Sequence, residues 1–148
     1  MLSKLSRRAQ DDQGFTLIEL LVVILIIGIL AAVAIPTFLN QRGKAYDSNA
    51  QSMVKSMQIA EETYATSNNG TYTNSLTSLE NIDPSIKDGS AATPNSPTGA
   101  SSTGYTVSAT ALNTGDSFTI AENSGNATDS CSVGAGGGEP GAGVGSNW

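Results

Sequence analysis

The chain has 148 residues, with 7 lysines and arginines against 13 aspartates and glutamates, for a formal net charge of −6. That length suits one domain. An acidic balance without a basic stripe excludes the phosphate-tracking grooves of nucleic-acid binders, so no nucleic-acid partner is expected. There is no histidine and only one cysteine, Cys131. His-based acid–base chemistry, Ser-His-Asp and Cys-His nucleophiles, His/Cys zinc sites and an internal disulfide framework all drop out. The chain is not read as an enzyme: no catalytic residue, metal site or cofactor is expected.

Residues 1–14 are polar and carry Lys4, Arg7 and Arg8. Residues 15–35 then form a run of 21 in which only Thr16 and Glu19 bear polar side chains. At a helical rise of ~1.5 Å per residue the run covers roughly 31 Å, the thickness of one hydrocarbon core. It reads as a single membrane-spanning helix over residues 15–40. Three basic residues before it, against Arg42 and Lys44 after it, place the N-terminus on the cytoplasmic side. A secretory signal peptide fits less well, because its apolar region is shorter and precedes a small-residue cleavage site. Here the small residue, Gly14, comes first. A cut after Gly14 removes the charged leader and leaves the membrane helix on the mature protein.

Beyond Pro36 the helical pattern resumes over residues 41–68. Tyr46, Ala50, Met53, Met57, Ala60 and Tyr64 recur at spacings of 4, 3, 4, 3 and 4, one apolar stripe on a helix. Asp47, Lys55, Glu61 and Glu62 fall off that stripe, which is expected to pack beneath a small head. Asn68-Asn69-Gly70 supplies the stop, since asparagine and glycine accept the left-handed conformation that ends helices.

From residue 69 to residue 148, 45 of 80 residues are Gly, Ser, Thr or Asn, and only ten are Leu, Ile, Val or Phe. So few large apolar side chains cannot offset the ordering of such a chain, and the head must lean on the helix stripe and on neighbouring molecules. Within the head, residues 105–112 alternate as a half-buried strand. Residues 113–116 form a turn, residues 117–121 return as a second strand, and residues 130–133 offer a third. Residues 88–104, with Pro94 and Pro97, read as a loop. The small β head thus covers residues 69–133, and the Gly-rich residues 134–148 read as a flexible tail.

Glu19 is the most informative residue. A carboxylate in an apolar membrane helix costs ~2.5–3.5 kcal/mol even on the lenient insertion scale, so it calls for a partner charge. After a cut at Gly14 the new amine on Phe15 is a cation at membrane depth, one helical turn from its own Glu19. The Glu19 of a neighbouring molecule can face it instead, which neutralises both charges and fixes the stagger between adjacent helices.

Gly14-Phe15-Thr16-Leu17-Ile18-Glu19, the apolar run and Pro36 together resemble the N-terminus of type IV prepilins and type II secretion pseudopilins. The likeness extends over residues 7–70. It implies cleavage between Gly14 and Phe15 by a prepilin peptidase, N-methylation of Phe15, and a part for Glu19 in subunit registration. It also implies an α+β, pilin-like fold: a long N-terminal helix with a small antiparallel β-sheet packed on its second half. Gly28 and Pro36 lower helix propensity between them, and the resemblance implies that this segment loses helical structure within a filament. In an isolated subunit a mild kink in a continuous helix is expected.

Cys131 departs from the disulfide-closed loop of many pilins and reads as a small buried apolar residue. Asp83, Asp88, Asp116, Glu122 and Asp129 are too scattered for the calcium loop of the major pseudopilins. The sequons at Asn69 and Asn126 are what chance gives in a chain this rich in Asn and Thr. Tyr46, Tyr64, Tyr72, Tyr105, Phe15 and Phe38 are read as packing residues rather than an electron path.

The leading expectation is therefore a structural subunit of a type IV pilus, with a type II secretion or competence pseudopilin as the alternative. Its expected partners are further copies of itself, the prepilin peptidase, an inner-membrane assembly platform and, before assembly, the lipid bilayer. The expected location is the cytoplasmic membrane in a single pass, then a surface filament or a periplasm- or wall-spanning pseudopilus. Loss of Lys4, Arg7, Arg8, Asp11 and Asp12 with the leader moves the net charge from −6 to −7 before the new amine is counted.

Overall fold

The computed structural model describes residues 14–87 and 89–134. Residues 1–13 of the expected leader, Asp88 and residues 135–148 of the expected tail lie outside the described residues. The chain divides into two compact units, Met1–Phe38 and Leu39–Trp148.

In the first unit, helix α1 (Leu17–Ser67) begins directly after Thr16 and is unbroken at Gly28 and Pro36. Proline has no N–H to donate one turn back. Thr37 beside it donates its hydroxyl to Ala34 O at 2.9 Å and to Val33 O at 3.4 Å, returning side-chain hydrogen bonds to this turn.

In the second unit the remainder of α1 supports everything else. Its buried seam runs through Gly43, Asp47, Ala50, Val54, Met57, Glu61 and Ala65, with Met53 and Ala60 beside it. This corrects the stripe expected from sequence: Asp47 and Glu61 lie in the seam, while Tyr46 and Tyr64 are only half-buried at its edge. At 100° per residue the two stripes differ by a small rotation. The head selects the seam with two carboxylates because it supplies hydrogen-bond donors to both.

The helix ends at Ser67. Asn69 (φ 54°) and Gly70 (φ 76°) turn left-handed, and Gly70 N donates to Ala65 O at 2.9 Å, satisfying a last-turn carbonyl. A short helix α2 (Leu76–Ile82) follows, capped by Ser75, whose Oγ accepts from Ser78 N at 3.3 Å. A 3-10 turn, Pro84–Lys87, places Ile86 in the core.

The sheet has four antiparallel strands in chain order: β1 (Ala92–Pro94), β2 (Gly104–Ala111), β3 (Ser117–Asn123) and β4 (Asn126–Ser132). Two expectations are corrected. The loop expected over residues 88–104 contains β1, an edge strand in which Pro94 is tolerated. The last strand starts at Asn126 rather than Ser130, because Ser124 (φ 55°) and Gly125 (φ 86°) close a tight two-residue hairpin. On the inward face Val107 pairs with Ile120, Ala109 with Phe118, and Phe118 with Cys131. These residues join Leu79, Ile86, Ala92, Tyr105 and the α1 seam in one apolar core. Cys131 is buried there as a small core residue.

Candidate functional site

The start of α1 is a reciprocal cap. Thr16 N and Thr16 Oγ1 both donate to Glu19 Oε2, at 3.0 Å and 2.8 Å, and Glu19 N donates back to Thr16 Oγ1 at 3.3 Å. This is the capping box of a Ser/Thr-x-x-Glu sequence, in which side chains serve the amides that a helix N-terminus leaves unpaired. The Thr16–Glu19 spacing carried that signal in the sequence, and the sequence reading overlooked it. Gly14 and Phe15 precede the cap, exposed and outside any helix or strand.

The rest of this unit has one physical character. Every large apolar side chain from Phe15 to Leu39 is between 43% and 90% exposed. No part of the described chain covers this surface, which is long and apolar enough to cross a membrane. Gly28, with no side chain, opens an apolar notch between Leu21, Ile24 and Leu25 on one side and Ile29 and Ala32 on the other. A small residue at such a place allows another helix to approach closely. Gly28 and Pro36 are thus both inside an unbroken helix, eight residues apart.

The head carries its own polar groups at the helix seam. Thr114 Oγ1 donates to Asp47 Oδ1 at 2.6 Å, and Asp116 Oδ1 accepts from Gly134 N at 2.7 Å. Glu61 Oε2 accepts from Thr73 N at 2.9 Å. Burial pushes the Glu61 carboxyl up from 4.5 to about 7, opposed by the Thr73 amide and reinforced by the neighbouring Glu62 charge. The rings of Tyr72 and Tyr105 meet at 4.5 Å between centroids, tilted by 57°, and both direct their hydroxyls to Glu62. Burial, followed by the Glu62 charge, raises both phenols above their ordinary value. Sequence reasoning missed Asp47 and Glu61 because polar identity alone argued for a solvated face. Among the described residues no group of three or more His, Cys, Asp or Glu side chains could hold a metal ion.

Thr16, Glu19 and the apolar helix fall inside a segment with a known pattern. Residues 10–35 carry the prokaryotic N-terminal methylation motif. The chain is also similar, over part of its length, to curated proteins. The type IV major pilin protein PilA of Myxococcus xanthus is 41% identical over 61 residues, which is 41% of this chain and 28% of that protein. The type IV wide pilus major component PilA4 of Thermus thermophilus is 43% identical over 70 residues, 47% of this chain and 53% of that one. The type II secretion system core protein G of Escherichia coli is 40% identical over 62 residues, 41% of this chain and 43% of that one. The chain thus spans only about a quarter to a half of the length of these relatives. No solved structure matches it. The likeness to each of these relatives covers less than half of this chain.

Proposed function

We propose that this chain is a type IV pilus subunit, a structural protein rather than an enzyme. The observation that carries the reading is the methylation motif on a helix whose apolar surface is exposed along its whole first half and bears one carboxylate, Glu19. A prepilin peptidase cuts between Gly14 and Phe15, and the freed amine of Phe15 is methylated. The membrane stores the subunit, with its N-terminus toward the cytoplasm, until an assembly platform in that membrane moves it into the fibre. Glu19 of one subunit then neutralises the Phe15 amine of another, because a lone charge is costly among apolar helices. The helices bundle, the residues between Gly28 and Pro36 yield to fit the bundle, and the hydroxyl-rich heads face water at the cell surface.

The similarity to the type II secretion core protein G supports a second reading, a pseudopilin that stays within the envelope as a short fibre. One experiment separates the two. Cells are sheared, the filaments are pelleted, and the N-terminal peptide from pellet and membrane is weighed by mass spectrometry. A peptide beginning at methylated Phe15 in the sheared pellet is expected. The same peptide confined to membranes would favour the pseudopilin, and an uncut leader in both fractions would refute both readings.

A further inference from the structure

Two adjacent carboxylates at the end of α1 hold the segment that returns after the helix stop. Glu62 Oε1 and Oε2 accept from Tyr72 Oη at 3.3 Å and 3.2 Å, and Glu62 Oε1 also accepts from Tyr105 Oη at 3.1 Å. Glu61 takes the next amide, Thr73 N. Their surroundings differ. Glu62 is exposed, whereas Glu61 is fully buried and its Oε1 has no hydrogen-bond partner among the described residues. A buried carboxylate oxygen without a donor is among the costliest groups a protein can keep, and protonation is the usual relief.

Among the described residues, the titratable groups acting on Glu61 add no cation to ease its ionisation. Glu62 on α1 is a like charge, and Tyr72 on the returning segment is a phenol that feels the Glu61 charge. Beyond them, Tyr105 on β2 shares Glu62 with Tyr72, and Glu122, paired with Tyr105 on β3, adds a negative charge that both phenols feel. The buried residue of α2 is the apolar Leu79.

We propose that Glu61 is a proton-operated latch: as a carboxylic acid it holds the Tyr72–Thr73 segment closed on α1, and as a carboxylate it loosens that junction. Ionisation strengthens the single Thr73 bond, but it places a charge where the other oxygen is buried and unpaired among the described residues and where Glu62 already repels it, so on balance the charged form favours opening toward water. Burial of the carboxyl, which raises its ionisation to near neutrality, puts the transition in a range that surface environments reach. The inference concerns the head alone and stands whether or not the subunit forms a pilus.

The test is hydrogen exchange at the Thr73 amide, measured on the full chain in detergent micelles from about pH 5 to about pH 8.5. Rates are corrected for the intrinsic pH dependence of exchange. Protection is expected to fall at least tenfold across that range in the wild type. Glu61→Gln should abolish the dependence, whereas Glu62→Gln should retain it. Protection that is independent of pH, or a dependence unchanged in Glu61→Gln, would overturn the proposal. Should Glu61→Gln fail to fold, the carboxyl resonance of Glu61 in the wild type decides: titration near neutrality supports the latch, and titration near 4.5, the ordinary glutamate value, overturns it.

Discussion

The Thr114 hydroxyl donates to the Asp47 carboxyl at 2.6 Å with both side chains buried, so the β2–β3 turn is fixed to α1 by a short hydrogen bond. Gly43, one turn earlier, makes room for this contact: a Cβ there would stand 3.2 Å from the Thr114 methyl group. The head is therefore held to its helix by polar contacts at both ends of the seam, at Asp47 and at Glu61, with the apolar core between them.

Thr114→Val keeps the shape and removes the donor. It should lower stability by about 1–3 kcal/mol, since a buried carboxylate loses a partner. Thr114→Ser should restore most of that loss. Urea midpoints of the three proteins in the same detergent check this, and equal midpoints would show that the bond contributes little.

Glu19→Gln separates two duties of one side chain. Glutamine can still close the capping box with Thr16, so helix content by circular dichroism should be unchanged. Sheared filament yield should nevertheless drop on the order of tenfold or more, the equivalent of losing ~1.4 kcal/mol at the subunit junction. Thr16→Ala should do the reverse, weakening the helix start by ~1 kcal/mol while filaments persist. Similar yields from Glu19→Gln and wild type would remove Glu19 from assembly.

Gly104→Ala should be poorly tolerated. A Cβ at that position would lie 2.2 Å from the Glu122 carbonyl oxygen on the paired strand, so backbone must shift. The expected loss is about 1–3 kcal/mol, with the disturbance centred on the β2–β3 pair. Amide exchange along β2 and β3 is the measurement, and wild-type protection there would contradict the prediction.

Stability should depend on pH with a defined sign. The Glu61 carboxyl titrates above its ordinary value of 4.5, at about 7, so the folded state binds a proton that the unfolded state has released. Its contribution is complete below the unfolded value and is lost as pH rises through the folded one, by at most about 3 kcal/mol. Melting temperatures in the same detergent should decline across that window and then level off. Glu61→Gln should flatten the curve, and a wild-type melting temperature that rises across the window would reverse the assignment.

Much of this architecture is written in local pattern. The 21-residue apolar run, the Asn69-Gly70 stop and the alternation in β2 are each fixed by neighbours in the chain, so periodicity exposes them. What periodicity could not expose depends on distant donors. Asp47 and Glu61 look like solvent-facing residues until Thr114, 67 residues away, and Thr73, 12 residues away, bring hydrogen-bond donors to them. β1 is three residues long and ends in Pro94, too short for a period, and exists because Ala109–Ala111 of β2 offers it a partner. At the N-terminus, the methylation motif over residues 10–35 was legible because it is a pattern of local spacing.

The end of β4 sets a practical limit on any soluble version of the head. Gly134 N donates to Asp116 Oδ1, while Asp116 Oδ2 has no hydrogen-bond partner among the described residues. A side chain at 134 would collide with Gly115, whose carbonyl carbon lies 2.2 Å from where the Cβ would be. Ending a recombinant fragment at the last strand residue, Ser132, would strip a fully buried aspartate of this donor. An affinity tag fused there would put a bulkier residue where only glycine fits. Either choice would weaken the turn that carries Thr114, so the fragment should keep Gly134 and any tag should begin well beyond it.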